Sequence, residues 1–143
     1  MKVDKVRAVV IGCGYVADLY MVDLLKAKYI NIVGCHDISL ERLEKFSSFY
    51  DVKAYSSLNE LIKCPAEVWI VLTNPSAHLS LCRIGLDNNK NIFCEKPLGG
   101  DISEIDGLLK VAQEKKLCLQ AAPSNIYSAT SVSLKNILNE NKI

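Results

Sequence analysis

The sequence predicts an α/β domain built on a doubly wound parallel sheet, and three observations predict it. Short apolar runs of strand length alternate with amphipathic stretches of helix length throughout the 143 residues. The runs are apolar at consecutive positions, as strands covered by helices on both faces are. Finally, Val9-Val10-Ile11 stops abruptly at Gly12-Cys13-Gly14, and a helical pattern starts at Val16. That is the strand, glycine turn and helix that open a dinucleotide-binding unit. Right-handed crossovers between such elements give the doubly wound order.

The elements follow in sequence. A first strand covers Arg7 to Ile11, and a first helix Tyr15 to Lys28, with Val16, Leu19, Tyr20, Leu24 and Ala27 on one face. A second strand, Ile30 to Cys35, ends in His36-Asp37. Ser39 caps a second helix that buries Leu40, Leu43, Phe46 and Tyr50. An extended piece, Val52 to Tyr55, precedes a Ser56-Ser57 cap and a short helix to Lys63. Glu67 to Leu72 is a buried strand carrying Trp69. Thr73-Asn74-Pro75 breaks it and opens a helix to Leu86. Strand Asn91 to Cys94 leads into the loop Glu95 to Gly100. Asp101 or Ser103 caps a helix that ends near Lys116, and strand Leu117 to Ala121 and helix Ser128 to Glu140 complete the pattern.

Composition narrows the function classes. Half of the residues are hydrophobic and the formal net charge is +1, with no basic stripe, so no nucleic-acid partner is expected. The apolar runs reach only strand length, so no membrane span is expected. Met1-Lys2-Val3-Asp4-Lys5 places charges where a signal peptide needs an apolar core. The six cysteines (Cys13, Cys35, Cys64, Cys82, Cys94, Cys118) contain no C-x-x-C pair. They read as free, mostly buried thiols of a cytoplasmic protein, against the alternative of a metal or disulfide set.

The chemistry-bearing residues sit where the strands end. Gly12 permits a tight turn where a side chain would clash, Gly14 permits close approach of a pyrophosphate, and Ala17 lets helix pack on strand. N–H groups at the helix start, with Cys13, Tyr15 and Val16 around them, face the phosphates. Asp37, at the end of the second strand, has the position of the carboxylate that accepts the adenosine ribose hydroxyls. It would repel a 2′-phosphate, which favours NAD over NADP; the alternative is that Asp37 only caps the second helix. Arg42, a turn into that helix, is expected to face solvent. Thr73, Asn74 and His78 follow the Trp69 strand at the edge where ligands bind in such sheets. His78 either acts at the nicotinamide end, bonds the loop or lies on the surface. Lys96, fixed by Pro97 after a buried strand, is either a solvated charge or a cation that helps a substrate hydroxyl lose its proton.

Together these residues resemble the N-terminal domain of the Gfo/Idh/MocA oxidoreductases. The Gly12-Cys13-Gly14-Tyr15-Val16-Ala17 turn, Thr73-Asn74-Pro75 with His78, and Glu95-Lys96-Pro97-Leu98 carry the resemblance, which runs from Arg7 to the last residue. It implies a Rossmann domain and hydride chemistry on a secondary hydroxyl of a sugar, nucleotide-sugar or cyclitol. It makes Lys96 the catalytic lysine, sets Glu95 near the cofactor ribose and brings Asn125 toward the nicotinamide. The segment Ala122-Pro123-Ser124-Asn125-Ile126-Tyr127 lacks an arginine that many relatives carry. Full-length relatives add a C-terminal α+β substrate domain, absent here, and homo-oligomerise through its sheet. Residues 1–143 therefore read as one NAD(P)-binding domain truncated at its C-terminal end, expected to bind cofactor with little or no turnover. The alternative is a non-catalytic, NAD-sensing regulatory module.

Overall fold

The computed structural model describes residues 5–122 and 129–139. Five parallel strands, β1 (Val6–Ile11), β2 (Ile30–His36), β3 (Val68–Val71), β4 (Asn91–Cys94) and β5 (Leu119–Ala121), form one sheet in the order β2-β1-β3-β4-β5. Between and after them run α1 (Tyr15–Leu24), α2 (Leu40–Tyr50), α3 (Leu58–Lys63), α4 (His78–Asp87), α5 (Ile102–Glu114) and α6 (Ala129–Asn139). A single 3-10 turn, Pro75–Ala77, leads into α4.

Consecutive apolar residues in β1 and β3 serve two separate cores. Val9, Ile11, Trp69 and Val71 pack with Leu61, Cys82, Leu86 and Leu108 from α3, α4 and α5. Ala8, Val10 and Ile70 pack with Ala17 and Met21 of α1 and Leu43 and Phe46 of α2. This is why Ala8 to Ile11 and Val68 to Val71 carry no polar residue: neither face of the sheet meets water there. All six cysteines are free thiols, five of them buried and Cys118 exposed. None of the helices among the described residues is long and apolar enough to cross a membrane.

Several expectations are corrected. Helix α1 ends at Leu24, and its buried residues are Ala17 and Met21, while Val16 and Leu19 lie 36% and 53% exposed. The stretch from Tyr15 to Leu24 is apolar nearly all round, so periodicity does not select its inner face; close approach to the sheet does, and it takes the small Ala17. Leu40, the first residue of α2, is exposed, and the helix buries Leu43 and Phe46 instead. Val52 to Tyr55, expected as an extended piece, contributes one bridge beside β2, Ala54 to Cys35. The caps at Ser39, Ser57 and Asp101 form as expected, each accepting a main-chain N–H.

Because every strand is parallel, Ile11, His36, Val71, Cys94 and Ala121 all end on one edge of the sheet. Everything singled out in the sequence and described in the structure gathers along that edge.

Candidate functional site

At the β1 end the chain turns at Gly12, whose φ is +94°. A Cβ there would lie 2.8 Å from the main chain of Leu72 and Thr73, so glycine is demanded by both conformation and space. Gly14 is different: a Cβ on it would meet nothing within 4 Å, because the residue faces an open cleft. Gly14 is also the N-cap of α1 and supplies no side-chain cap, which leaves first-turn N–H groups free for an anion. The cleft, about 570 Å³, runs from Gly12, Gly14, Tyr15 and Val16 past His36 and Asp37 to Thr73 and Asn74. Ile38, Leu58, Leu81 and Ile84 give it apolar walls.

Asp37 is buried and fully engaged. Its Oδ2 accepts from the Cys13 N–H at 2.8 Å and its Oδ1 from the Ser39 N–H at 2.7 Å. Arg42 is exposed, as expected, but its guanidinium turns back and forks onto the same carboxylate, Nη2 to Oδ1 at 2.9 Å and Nε to Oδ2 at 3.3 Å. Burial pushes the Asp37 carboxyl up, but Arg42 and the Ser39 and Cys13 N–H groups outweigh it, and the net shift is downward from the ordinary value. Asp37 thus ties the glycine turn to the start of α2, whose N-cap is Ser39.

At the middle of the edge, His78 is completely buried. Its Nδ1 lies 2.7 Å from the Pro97 carbonyl and its Nε2 2.9 Å from the Thr73 carbonyl. The ring therefore clips the loop after β3 to the loop after β4. Glu95 in that second loop accepts the Tyr20 hydroxyl from α1. Burial, then the Glu95 carboxylate, raises the Tyr20 phenol above its usual range. Tyr20 also sets its ring edge against Phe93, with centroids 5.9 Å apart. Lys96 is exposed, its ammonium without a hydrogen bond or ion pair among the described residues, and the Lys96–Pro97 peptide is cis.

A family model described as an oxidoreductase family with an NAD-binding Rossmann fold, the Gfo/Idh/MocA group, matches residues 6–122. The chain belongs to this family. It is 32% identical over 108 residues to trans-1,2-dihydrobenzene-1,2-diol dehydrogenase of Macaca fascicularis, covering 74% of this chain and 32% of that protein. It is 26% identical over 142 residues to inositol 2-dehydrogenase of Salmonella paratyphi B, covering 96% of this chain and 42% of the other. The chain thus spans well under half the length of these curated relatives. Among solved structures, its fold matches the WlbA dehydrogenase of Chromobacterium violaceum in complex with NADH and UDP-GlcNAcA. The TM-score is 0.90 at 22% identity, over 98% of this chain and 41% of that one. KijD10, a 3-ketoreductase of Actinomadura kijaniata in complex with NADP, matches with a TM-score of 0.88 at 19% identity, over 96% and 43%.

Within this Gfo/Idh/MocA chain the residues singled out in the sequence fall into groups. Gly12, Gly14, Tyr15, Val16, Asp37, Thr73 and Asn74 line the cleft together. Cys13 contributes its N–H to Asp37, while its buried thiol contacts the His36 carbonyl at 3.6 Å. His78 lies beneath the surface as the clip between loops, and Glu95 and Lys96 stand beyond the lining of the cleft. Asn125 lies outside the described residues. Sequence reasoning missed Arg42, Tyr20 and the apolar walls. Only Arg42 carried a signal, a guanidinium one helical turn past a buried acid at a helix start.

Proposed function

We propose that the chain is the NAD(P)-binding part of an oxidoreductase that moves a hydride between a nicotinamide cofactor and a secondary hydroxyl of a sugar, nucleotide-sugar or cyclitol. The observation that carries this reading is the cleft itself. The open side of Gly14 and the uncapped start of α1 lie at one end, and a buried carboxylate stands across from them. That donor set fits a dinucleotide: N–H groups for a pyrophosphate, Asp37 for ribose hydroxyls, and apolar walls from Ile38, Leu58, Leu81 and Ile84 for a flat base. Asp37 favours NAD, because a 2′-phosphate beside it would be repelled.

The bound cofactor supplies the hydride acceptor or donor. The chain's residues bind and orient. Thr73 and Asn74 continue the cleft toward the nicotinamide end, with Glu95, held by Tyr20, bonding near the ribose. Lys96, whose ammonium has no partner among the described residues, hydrogen-bonds the substrate hydroxyl and assists the transfer of its proton. A ring carrying secondary hydroxyls is common to the diol and inositol named for the two curated relatives, which supports the substrate class.

The 143 residues alone bind cofactor with little or no turnover, since Lys96 is exposed and stands outside the cleft lining. The same observation favours the second reading, an NAD-binding module without chemistry. Calorimetric titration with NADH tests the binding site: heat that saturates supports it, and no heat at millimolar cofactor overturns it. Lys96→Ala in the natural gene product separates the two readings. Loss of turnover with unchanged NADH affinity supports the enzyme; an unaltered rate removes Lys96 from the mechanism, and no turnover before the substitution favours the binding module.

A further inference from the structure

The cation of the proposed chemistry follows directly on an acid. Consecutive Cα atoms lie about 3.8 Å apart, so the side chains of Glu95 and Lys96 are within each other's reach. They do not pair: Lys96 has no ion pair among the described residues, and Glu95 gives its carboxylate elsewhere.

The reason lies in α1. Tyr20 holds the end of β4 at two points: its ring stands edge-on to Phe93, with centroids 5.9 Å apart, and its hydroxyl donates to Oε2 of Glu95. Residues two apart on an extended chain share a face, and the residue between them leaves from the other. Phe93 packs with the core that α1 and α2 cover, while Cys94 lies in the opposite core. Glu95 thus follows Phe93 toward α1, and its main-chain N–H stays on the sheet, donating to the Val71 carbonyl at 2.8 Å. Burial, then the Glu95 carboxylate, raises the Tyr20 phenol above its usual range, so the hydroxyl is a standing donor. Asp101, the next acid along the chain, is engaged too: its Oδ1 accepts the Ser103 N–H and hydroxyl at 2.7 Å each. Both carboxylates nearest to Lys96 in the sequence are therefore held by other donors.

We propose that Tyr20 is a positioning residue for the reaction: by holding the Glu95 carboxylate against α1, it keeps that acid from pairing with Lys96 and leaves the ammonium free for a substrate hydroxyl. The inference rests on the role given to Lys96 above. Without the Tyr20 hydroxyl, Glu95 has no side-chain partner among the described residues, and the adjacent ammonium takes its place. An ammonium so paired divides its donors between the acid and the substrate.

The test is trace acetylation of the 143-residue chain with acetic anhydride at one fixed pH, read by mass spectrometry as the ratio of Lys96 to the exposed Lys110. Pairing with a carboxylate favours the protonated, non-nucleophilic form of an amine and slows its acylation. Tyr20→Phe keeps the ring against Phe93 and removes the hydroxyl. It lowers the ratio about two- to fivefold at low salt, the range of an exposed ion pair, and the drop narrows at high salt. Adding Glu95→Gln to Tyr20→Phe restores the ratio, and Glu95→Gln alone leaves it unchanged. A loop that is merely loosened exposes Lys96 further, so a ratio that stays or rises in Tyr20→Phe overturns the proposal. A drop that Glu95→Gln fails to restore overturns it as well, as does a rise in Glu95→Gln alone. Thermal melting is followed alongside; if Tyr20→Phe is unfolded, Tyr20→Met carries the same comparison. The readout needs neither cofactor nor turnover. If the ratios behave as expected while Lys96→Ala leaves the rate of the natural gene product unaltered, the restraint on Glu95 stands and the catalytic reading of Lys96 falls.

Discussion

The two ends of the edge are built differently. At the β1–β2 end the polar groups are buried and satisfied by one another: Asp37 holds two main-chain N–H groups and a guanidinium around a turn that tolerates only glycine. At the β3–β4 end the loops are fixed from beneath, by His78 on two carbonyls and by Tyr20 on Glu95, while the exposed Lys96 has no hydrogen bond or ion pair among the described residues. The first end is a closed network of polar groups. The second fixes the position of its loops and leaves their outer side chains open. The two ends are thus held by separate networks, and substitutions at them divide accordingly.

The largest effect is expected at the closed end. Gly12→Ala sets a Cβ against main chain at 2.8 Å with φ at +94°, and should destabilise by about 3 kcal/mol or more, read from urea unfolding. Gly14→Ala projects into open cleft and should cost under about 1 kcal/mol while weakening NADH binding. Equal stability losses at the two glycines would erase the distinction between a turn residue and a cleft residue. His78→Ala comes next. It removes the ring that bridges two part-buried carbonyls and leaves a void, and should cost about 2–3 kcal/mol by the same measurement. It should leave the adenosine half able to bind AMP, and loss of AMP binding would show that the two ends are not separable.

Asp37 gives a pH test. Its folded carboxyl lies below the ordinary value of 3.8, so the stability its ionised form contributes is whole above that value and is lost as pH falls through the lower folded value. Asp37→Asn should flatten that part of the acid unfolding curve, and an identical acid limb would remove the network from the stability balance. Tyr20→Phe is the mildest. It removes one hydrogen bond and keeps the ring against Phe93, so about 1 kcal/mol or less is expected, with the tyrosine titration of the unaltered chain showing one phenol shifted upward.

The fold was legible because the strands report their surroundings directly: Val9, Val10 and Ile11 face two cores and must all be apolar. The glycine turn and the position of Asp37 were legible for similar reasons, each answering to one local constraint. Arg42 was not, since whether a guanidinium five residues past an acid turns back or outward depends on the angle at which α2 leaves its cap. Tyr20 and Glu95 lie 75 residues apart and meet only once α1 and β4 stand side by side. The inner face of α1 failed for want of contrast, because a stretch apolar on every side does not announce which side is inside. The clip by His78 was among the readings left open, and burial decided it.

The clip has a consequence for diversification. His78 grips the carbonyls of Thr73 and Pro97, groups that every residue type supplies. Side chains on the two loops can therefore be exchanged without altering what the imidazole holds. A chain built this way can trade one loop side chain for another while its framework keeps the same dimensions, as a jig holds different workpieces.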